Sequence, residues 1–293
     1  MPYTYLVPSD TKRMLTAQID QCENLALILA RYIPEEAIRN DDMMNDRGRA
    51  VDKVRSKWLV ELLGRFTPVN LDALLSSQFE RWFALTQNTA KFEMRLRGRM
   101  VVGLGGKNPL EFGITLHKLT GLPYIPGSAL KGLARSYALL SLANQAGIPI
   151  ESDALKAFDE ALGAGQYDQN ESARHYHRAF GTQADAGGCV FYDAVISNVI
   201  EPQKSLFTID VMTPHFVKYY TADSAPHDGD NPNPVSYVVV REGISFGFAI
   251  GTRAGFIDEG TRKQARDWLR GGLEELGVGA KTAQGYGVFT RVE

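Results

Sequence analysis

The sequence has little cysteine and no long apolar run. Its 293 residues include only Cys22 and Cys189, far apart and without a CxxC pair, which argues against a disulfide framework and a cysteine zinc site. The His175/His177 pair lacks acid or cysteine partners at metal spacing, so we expect neither a metal nor a cofactor. No apolar run reaches the ~18–20 residues of a membrane span, and no signal pattern opens the chain. We expect a cytoplasmic protein with no membrane partner.

An overall excess of basic charge is also missing. The net charge is −2 and the pI is near 6.2, whereas a free-standing nucleic-acid binder is usually basic. The average hides an asymmetry, because residues 91–135 hold eight Lys/Arg and two acids, a net charge of +6 that leaves −8 for the remainder. A locally basic face on an acidic protein can bind phosphate at one place and protein partners elsewhere. Solvated strand and helix faces would give the same count.

The sequence pattern of the first 90 residues predicts helices. Apolar residues recur at helical spacing in residues 11–32, 50–63 and 71–85. Pro34 ends the first stretch and Gly64 the second. We therefore predict an added N-terminal helical region over residues 1–90.

From Lys91 the hydrophobic period changes to two. Phe92, Met94 and Leu96 alternate with charged residues, which predicts a half-buried strand. Further on, helices are predicted near 128–143, 154–162 and 258–276, with a polar loop after residue 162. Strands are predicted in 189–200, 206–212, 235–240, 244–250 and 286–292. This order predicts an α+β fold, with helices on one face of an antiparallel sheet and residues 91–293 as its core.

Residues 124–135 predict an anion site at the start of a helix. Ser128 suits the N-cap, because its hydroxyl can accept a bond from an otherwise orphan N–H. The exposed N–H groups and the positive end of the helix dipole favour an anion there. Lys131 and Arg135 are four residues apart and share a face. Gly132 lowers the stability of the helix by about 1 kcal/mol relative to alanine. A close neighbour at this position would explain why a glycine is present. An ordinary amphipathic helix with solvated basic residues is the alternative.

Residues 277–287 contain four glycines, together with Lys281, Thr282 and Tyr286. Such a turn exposes backbone N–H groups, that of Gly279 among them, and lets a phosphate approach closely. The segment is not a P-loop, because the G-x-x-x-x-G-K-[ST] motif is absent and the loop follows a helix and precedes a strand. A flexible helix-to-strand connection is the alternative.

A long polar excursion, residues 213–234, follows a predicted strand. Lys218, Tyr219 and neighbouring aromatic residues could stack on bases and meet phosphates. His215 could also act as an acid or base, although a lone histidine is more often structural. No nucleophile–base–orienter set is present in the sequence.

Four motifs in one order resemble the RAMP superfamily (repeat-associated mysterious proteins), the RNA-binding subunits of CRISPR effector complexes. They lie in residues 121–135, 179–193, 210–220 and 277–287. Within the superfamily the chain looks most like the sixth subunit of the type III-B, or Cmr, complex. The N-terminal helices carry none of these motifs.

The resemblance implies a ferredoxin-like, RRM-like core in a backbone subunit near the 3′ end of the CRISPR RNA. Its partners would be that RNA, the other Cmr backbone subunits and the small subunit, with target RNA reached only through the guide. No catalysis is expected, since the target-cleaving aspartate of the family belongs to a different subunit. A metal-independent endoribonuclease using His215 is the runner-up, because some relatives cleave repeat RNA. A protein-only scaffold is a further alternative.

The chemistry of the residues agrees with this resemblance and indicates the site residues, while the thumb-like role of the excursion is implied by the resemblance alone. Guide RNA would lie on a surface made by the helix start at Ser128 and the turn at Gly277, with phosphates contacted by side chains and backbone N–H groups. The predicted RNA-binding residues are Ser128, Lys131, Arg135, Gly279, Lys281, Thr282 and Tyr286. The excursion would be a thumb-like hairpin, with possible contacts from His215, Lys218 and Tyr219.

Overall fold

The computed structural model describes residues 4–38, 53–106, 108–167, 169–182, 184–213, 234–256 and 258–292. Two compact units contain these residues, and each unit is drawn from non-contiguous segments. The first unit comprises Met1–Asp72, Gly103–Leu122 and Pro202–Arg241, and the second comprises Ala73–Val102, Pro123–Glu201 and Glu242–Glu293. The domain boundary at residue 90 stays a prediction.

The described helices and strands are as follows. The α-helices are α1 (Ser9–Gln18), α2 (Leu25–Arg31), α3 (Glu35–Ile38), α4 (Lys53–Leu63), α5 (Asp72–Leu85), α6 (Gly127–Gln145), α7 (Ser152–Gly163), α8 (Glu171–Phe180) and α9 (Glu259–Glu275). The strands are β1 (Ala90–Leu96), β2 (Tyr124–Ile125), β3 (Cys189–Phe191), β4 (Ala194–Val199), β5 (Phe207–Met212), β6 (Val235–Val240), β7 (Ile244–Thr252) and β8 (Phe289–Arg291).

In the first unit, the single helix expected over residues 11–32 is wrong. Helix α1 ends at Gln18, a 3₁₀ turn covers Ile19–Gln21, and α2 begins after Asn24. The reason is local, because the Asn24 side chain accepts a hydrogen bond from the Leu27 N–H at 3.0 Å and caps a new helix. The periodic apolar residues continue across this break, so periodicity alone did not reveal it.

Strands β5 and β6 of the first unit form an antiparallel pair that brackets the polar excursion. Their register runs from Phe207 opposite Val240 to Met212 opposite Val235. All six residues of β6 are buried. Residues 214–233, with the predicted contacts His215, Lys218 and Tyr219, lie outside the described residues.

The second unit is built on an antiparallel sheet in the order β2-β4-β7-β1-β8, with β3 also paired to β7. The alternation in β1 is confirmed, since Phe92, Met94 and Leu96 are all buried. Phe92 lies opposite Phe248 of β7, and the two rings stack with centroids 5.1 Å apart. Helices pack on this face of the sheet, where the guanidinium of Arg270 in α9 lies 4.7 Å from the Phe92 ring centroid. The predicted α+β fold is confirmed, but the expectation that helices cover only one face is wrong, because Trp82 of α5 packs against Val195 and Ala249 on the opposite face.

Helix α8 corrects the polar loop expected after residue 162. The Asn170 side chain accepts a hydrogen bond from the Ala173 N–H at 3.2 Å and caps the helix. Tyr176, Ala179 and Phe180 are buried on the inner side. The segment is polar overall, which favoured a loop, yet its few apolar residues recur at helical spacing and form one buried face.

Candidate functional site

The start of α6 is capped from a distant part of the chain. Ser128 is not the N-cap, because α6 begins at Gly127 and no side chain of the flanking Pro126 caps it. Instead, the Gly127 N–H donates a 2.7 Å hydrogen bond to the Asp193 carboxylate. A side chain at Gly127 would overlap the carbonyl oxygen of Phe191. The helix start is therefore packed against the connection between β3 and β4, and Ser128 is left exposed beside it.

A cleft of about 390 Å³ opens beside this helix start, and we call it the helix-start cleft. Four parts of the second unit meet there: the first turn of α6, the loop after α8, strand β3 and the residue that follows β7. The lining includes Ser128, Lys131, Thr182, Asp185, Cys189 and Arg253.

Two cations line the cleft without a carboxylate partner among the described residues. Lys131 has no hydrogen bond or ion pair within that part of the chain. The Arg253 guanidinium donates to the carbonyl oxygen of Ala186 at 3.2 Å and meets no carboxylate in the part of the chain that the structure describes. No sequence pattern marks Arg253 as a site residue. Cys189 of β3 pairs with Thr252 of β7, so Arg253, the next residue, lies beside the cleft.

The cysteine in the cleft is not an activated nucleophile. Burial raises the pKa of Cys189 to about 12, and the negative charge of Asp258 adds to the rise, whereas Lys131 and Arg262 oppose it. The thiol is therefore neutral at physiological pH, and a thiolate is the reactive form of cysteine.

Arg135 is engaged elsewhere. Its guanidinium donates to both oxygens of Asp159, at 2.9 and 3.0 Å, and to the Tyr176 hydroxyl at 3.0 Å. Burial and the hydrogen bond to Asp159 raise the pKa of Tyr176, so the phenol stays protonated. These contacts join α6 to α7 and α8. The predicted phosphate ligand Arg135 is thus neutralised by a carboxylate within its own unit.

The turn over residues 277–287, the glycine turn, has an unusual backbone. Gly279 has φ +96°, and a side chain there would overlap the carbonyl oxygen of Val101. Lys281 has φ +62°, in the left-handed region that non-glycine residues seldom occupy. A 3₁₀ helix begins at Thr282. The Lys281 ammonium lies 5.4 Å from the centroid of the Tyr286 ring, so these two predicted residues are brought together.

The helix-start cleft and the glycine turn lie at opposite ends of the sheet. The cleft is beside Cys189, which pairs with Thr252 at the last residue of β7. The glycine turn lies at the other end of the sheet. The Gly287 N–H donates to the carbonyl oxygen of Arg99, a residue just beyond the end of β1. That end of β1 lies beside the start of β7, since Arg95 pairs with Ser245. Eight residue steps of a strand separate these ends by roughly 26 Å. The two parts of the expected RNA surface are therefore well separated along the sheet, and whether guide RNA contacts both stays a prediction.

Two further findings concern the described residues alone. They contain no group of three or more His, Cys, Asp or Glu side chains that could hold a metal ion, and His175 instead meets the Thr261 hydroxyl at 2.8 Å. Across the same ranges, every helix is too short or too polar to cross a bilayer.

Comparison with known proteins adds three findings. The family model of the RAMP superfamily matches residues 93–290. The CRISPR system Cmr subunit Cmr6 of Pyrococcus furiosus is 32% identical over 233 residues, which cover 68% of this chain and 66% of the relative. The corresponding Cmr6 of Saccharolobus solfataricus is 28% identical over 209 residues, covering 70% of this chain and 59% of the relative. The chain thus spans less than two thirds of the length of either relative.

A solved structure shares the fold. It is a chain in the cryo-EM structure of the type III-B Cmr-beta complex bound to cognate target RNA, and the superposition has a TM-score of 0.55. The two chains are 22% identical, and the match covers 83% of this chain and 72% of the other. At this identity the likeness supports the fold alone.

Proposed function

Because the chain belongs to the RAMP superfamily, we propose that it is a non-catalytic guide-RNA-binding subunit of a type III-B CRISPR ribonucleoprotein. It would hold the guide near its 3′ end, in the cytoplasm, beside the other Cmr backbone subunits and the small subunit. Target RNA would reach it through pairing with the guide. The observation that carries the proposal is the 32% identity to Cmr6 across 68% of this chain.

The charge in the helix-start cleft supports RNA binding. Lys131 and Arg253 come from separate elements and face one cavity without a carboxylate partner among the described residues. Two unneutralised cations in a concave site attract a phosphate, and phosphate contacts position a strand without reading its sequence. That suits a guide whose sequence changes from spacer to spacer.

The glycine turn would provide a second contact. The cation–π contact with Tyr286 restricts where the Lys281 ammonium can lie, and the glycines of the turn allow a strand to approach the backbone. With a separation of roughly 26 Å, the two contacts suit an extended strand rather than one phosphate group. Low overall basicity is compatible with this, since the guide is held jointly by many subunits.

The test is guide retention in the assembled complex. We would co-express the chain with the other type III-B subunits and a CRISPR array, then introduce Lys131→Glu, Lys281→Glu and the double change. Each single change should lower guide retention several-fold. It should also reduce the slope of log affinity against log salt concentration by about one, the value expected for the loss of one phosphate contact. Lys156→Glu, an exposed lysine on α7, is the charge-matched control. Full guide retention by the double variant would favour the protein-only scaffold.

The nuclease alternative requires a separate experiment. Purified protein is incubated with repeat RNA in the presence of a chelator, beside a His215→Ala variant. We expect no cleavage by either protein. Metal-independent cleavage that disappears in His215→Ala would overturn the non-catalytic assignment.

A further inference from the structure

Asp185 is an unexplained acid in the helix-start cleft. Asp185 lines the same cavity as Lys131 and Arg253, and its carboxylate forms no hydrogen bond or ion pair with any described residue. It is exposed, so it supports no buried structure. An acid at this place weakens the attraction of the cleft for a bare phosphate, because like charges repel at short range.

The loop that carries Asp185 is held by its own hydrogen bonds. The Thr182 N–H donates to the Asp185 carbonyl oxygen at 2.8 Å. In return, the Thr182 hydroxyl accepts from the Asp185 N–H at 3.1 Å and from the Ala184 N–H at 3.2 Å. Gly181, with φ +72°, forms an isolated bridge with Ala186. The Thr182 hydroxyl already has these two donors, whereas the Asp185 carboxylate is left available to a ligand.

A carboxylate accepts hydrogen bonds and donates none, so a ligand that suits this cleft carries an anion and a donor close together. A ribonucleotide does so, with the 2′-hydroxyl as donor and the phosphate as anion. Deoxyribose lacks that hydroxyl. The cavity volume of about 390 Å³ is at the lower end of the range for pockets that hold one small ligand.

We propose that the helix-start cleft binds one ribonucleotide of the guide, with Lys131 and Arg253 on the phosphate and Asp185 accepting a hydrogen bond from the 2′-hydroxyl. Asp185 is then a residue that selects ribose over deoxyribose. The inference rests on the proposed function, since it assumes that the cleft holds RNA.

The test uses the complex reconstituted with its partner subunits on synthetic guides. One guide is all-ribose, and each of the others carries a single 2′-deoxy nucleotide at one position of the 3′ portion. For the wild-type chain, deoxy substitution at one position should weaken retention about tenfold, as expected for the loss of a hydrogen bond to a charged group. Asp185→Ala should remove that penalty and hold the deoxy guide more tightly than the wild type does. Asp185→Asn keeps an acceptor and should preserve part of the penalty.

Asp153→Ala, an exposed acid on α7, is the matched control and should behave as the wild type. A deoxy penalty that survives in Asp185→Ala overturns the proposal, as does an equal loss of both guides in that variant. A wild-type complex with no deoxy penalty at any position also overturns it. Failure of the wild-type chain to retain even the all-ribose guide counts against the proposed function instead.

Discussion

The carboxylate of Asp193 accepts a 2.7 Å hydrogen bond from the backbone N–H of Gly127, a residue 66 positions earlier in the chain. This contact supplies the cap that local sequence assigned to Ser128. It also places a negative charge at the positive end of the α6 dipole. The anion binding that we propose for the adjacent cleft would therefore depend on Lys131 and Arg253 rather than on a free helix start.

Asp193→Ala should lower the free energy of unfolding by about 1–2 kcal/mol, the usual cost of a lost N-cap. Ser128→Ala should change it by less than about 0.5 kcal/mol, because an exposed side chain without a capping bond contributes little. Urea unfolding of both variants measures the difference. Equal destabilisation by the two substitutions would show that Ser128 caps the helix after all.

Gly132 lies on an exposed side of α6, where an added side chain would meet no other atom within 4 Å. Gly132→Ala should therefore raise the free energy of unfolding by about 1 kcal/mol, because alanine restricts the unfolded chain and favours helix. Ser136→Ala, at an exposed position of the same helix, is the control and should give a smaller gain.

In the assembled complex, Gly132→Ala should retain less guide, since the glycine leaves room for a close ligand.

Gly279 and Gly285 both have positive φ, at +96° and +84°, but only Gly279 has a neighbour in the path of a side chain. Gly285→Ala should cost about 1 kcal/mol of stability from backbone strain alone. Gly279→Ala should cost more, because the turn must also move away from Val101. Thermal unfolding ranks the two variants, and guide retention should fall further in Gly279→Ala. A reversed ranking would contradict this geometry.

Cys189 should resist alkylation at pH 8. With its pKa raised to about 12, only about one thiol in ten thousand is ionised there. The rate of reaction with iodoacetamide should rise about tenfold per pH unit between pH 8 and 11, because only the thiolate reacts. Lys131→Glu removes a charge that lowers this pKa and should slow the reaction further. Peptide mass spectrometry separates Cys189 from the less buried Cys22, and fast labelling at pH 8 would refute the prediction.

The sequence alone determined the features that depend on neighbouring residues. The alternation from Phe92 to Leu96 predicted β1, and apolar spacing predicted α6 and α9 to within two residues at each end. The glycines and Lys281 marked the turn before β8. Helix α8 was predictable from sequence, since Asn170 suits an N-cap and the apolar residues Ala173, Tyr176 and Phe180 recur at helical spacing, but its polar composition favoured a loop.

Only the tertiary structure decided which distant residues share a site. It replaced Ser128 by Asp193 as the cap, paired Arg135 with Asp159, and brought Arg253 and Asp185 to Lys131. It also placed the helix start and the glycine turn at opposite ends of the sheet. The physical reason is that period and composition report on residues a few positions apart. Helix packing, strand order and register set the contacts between residues that are 24 or more positions apart, and no local pattern encodes them.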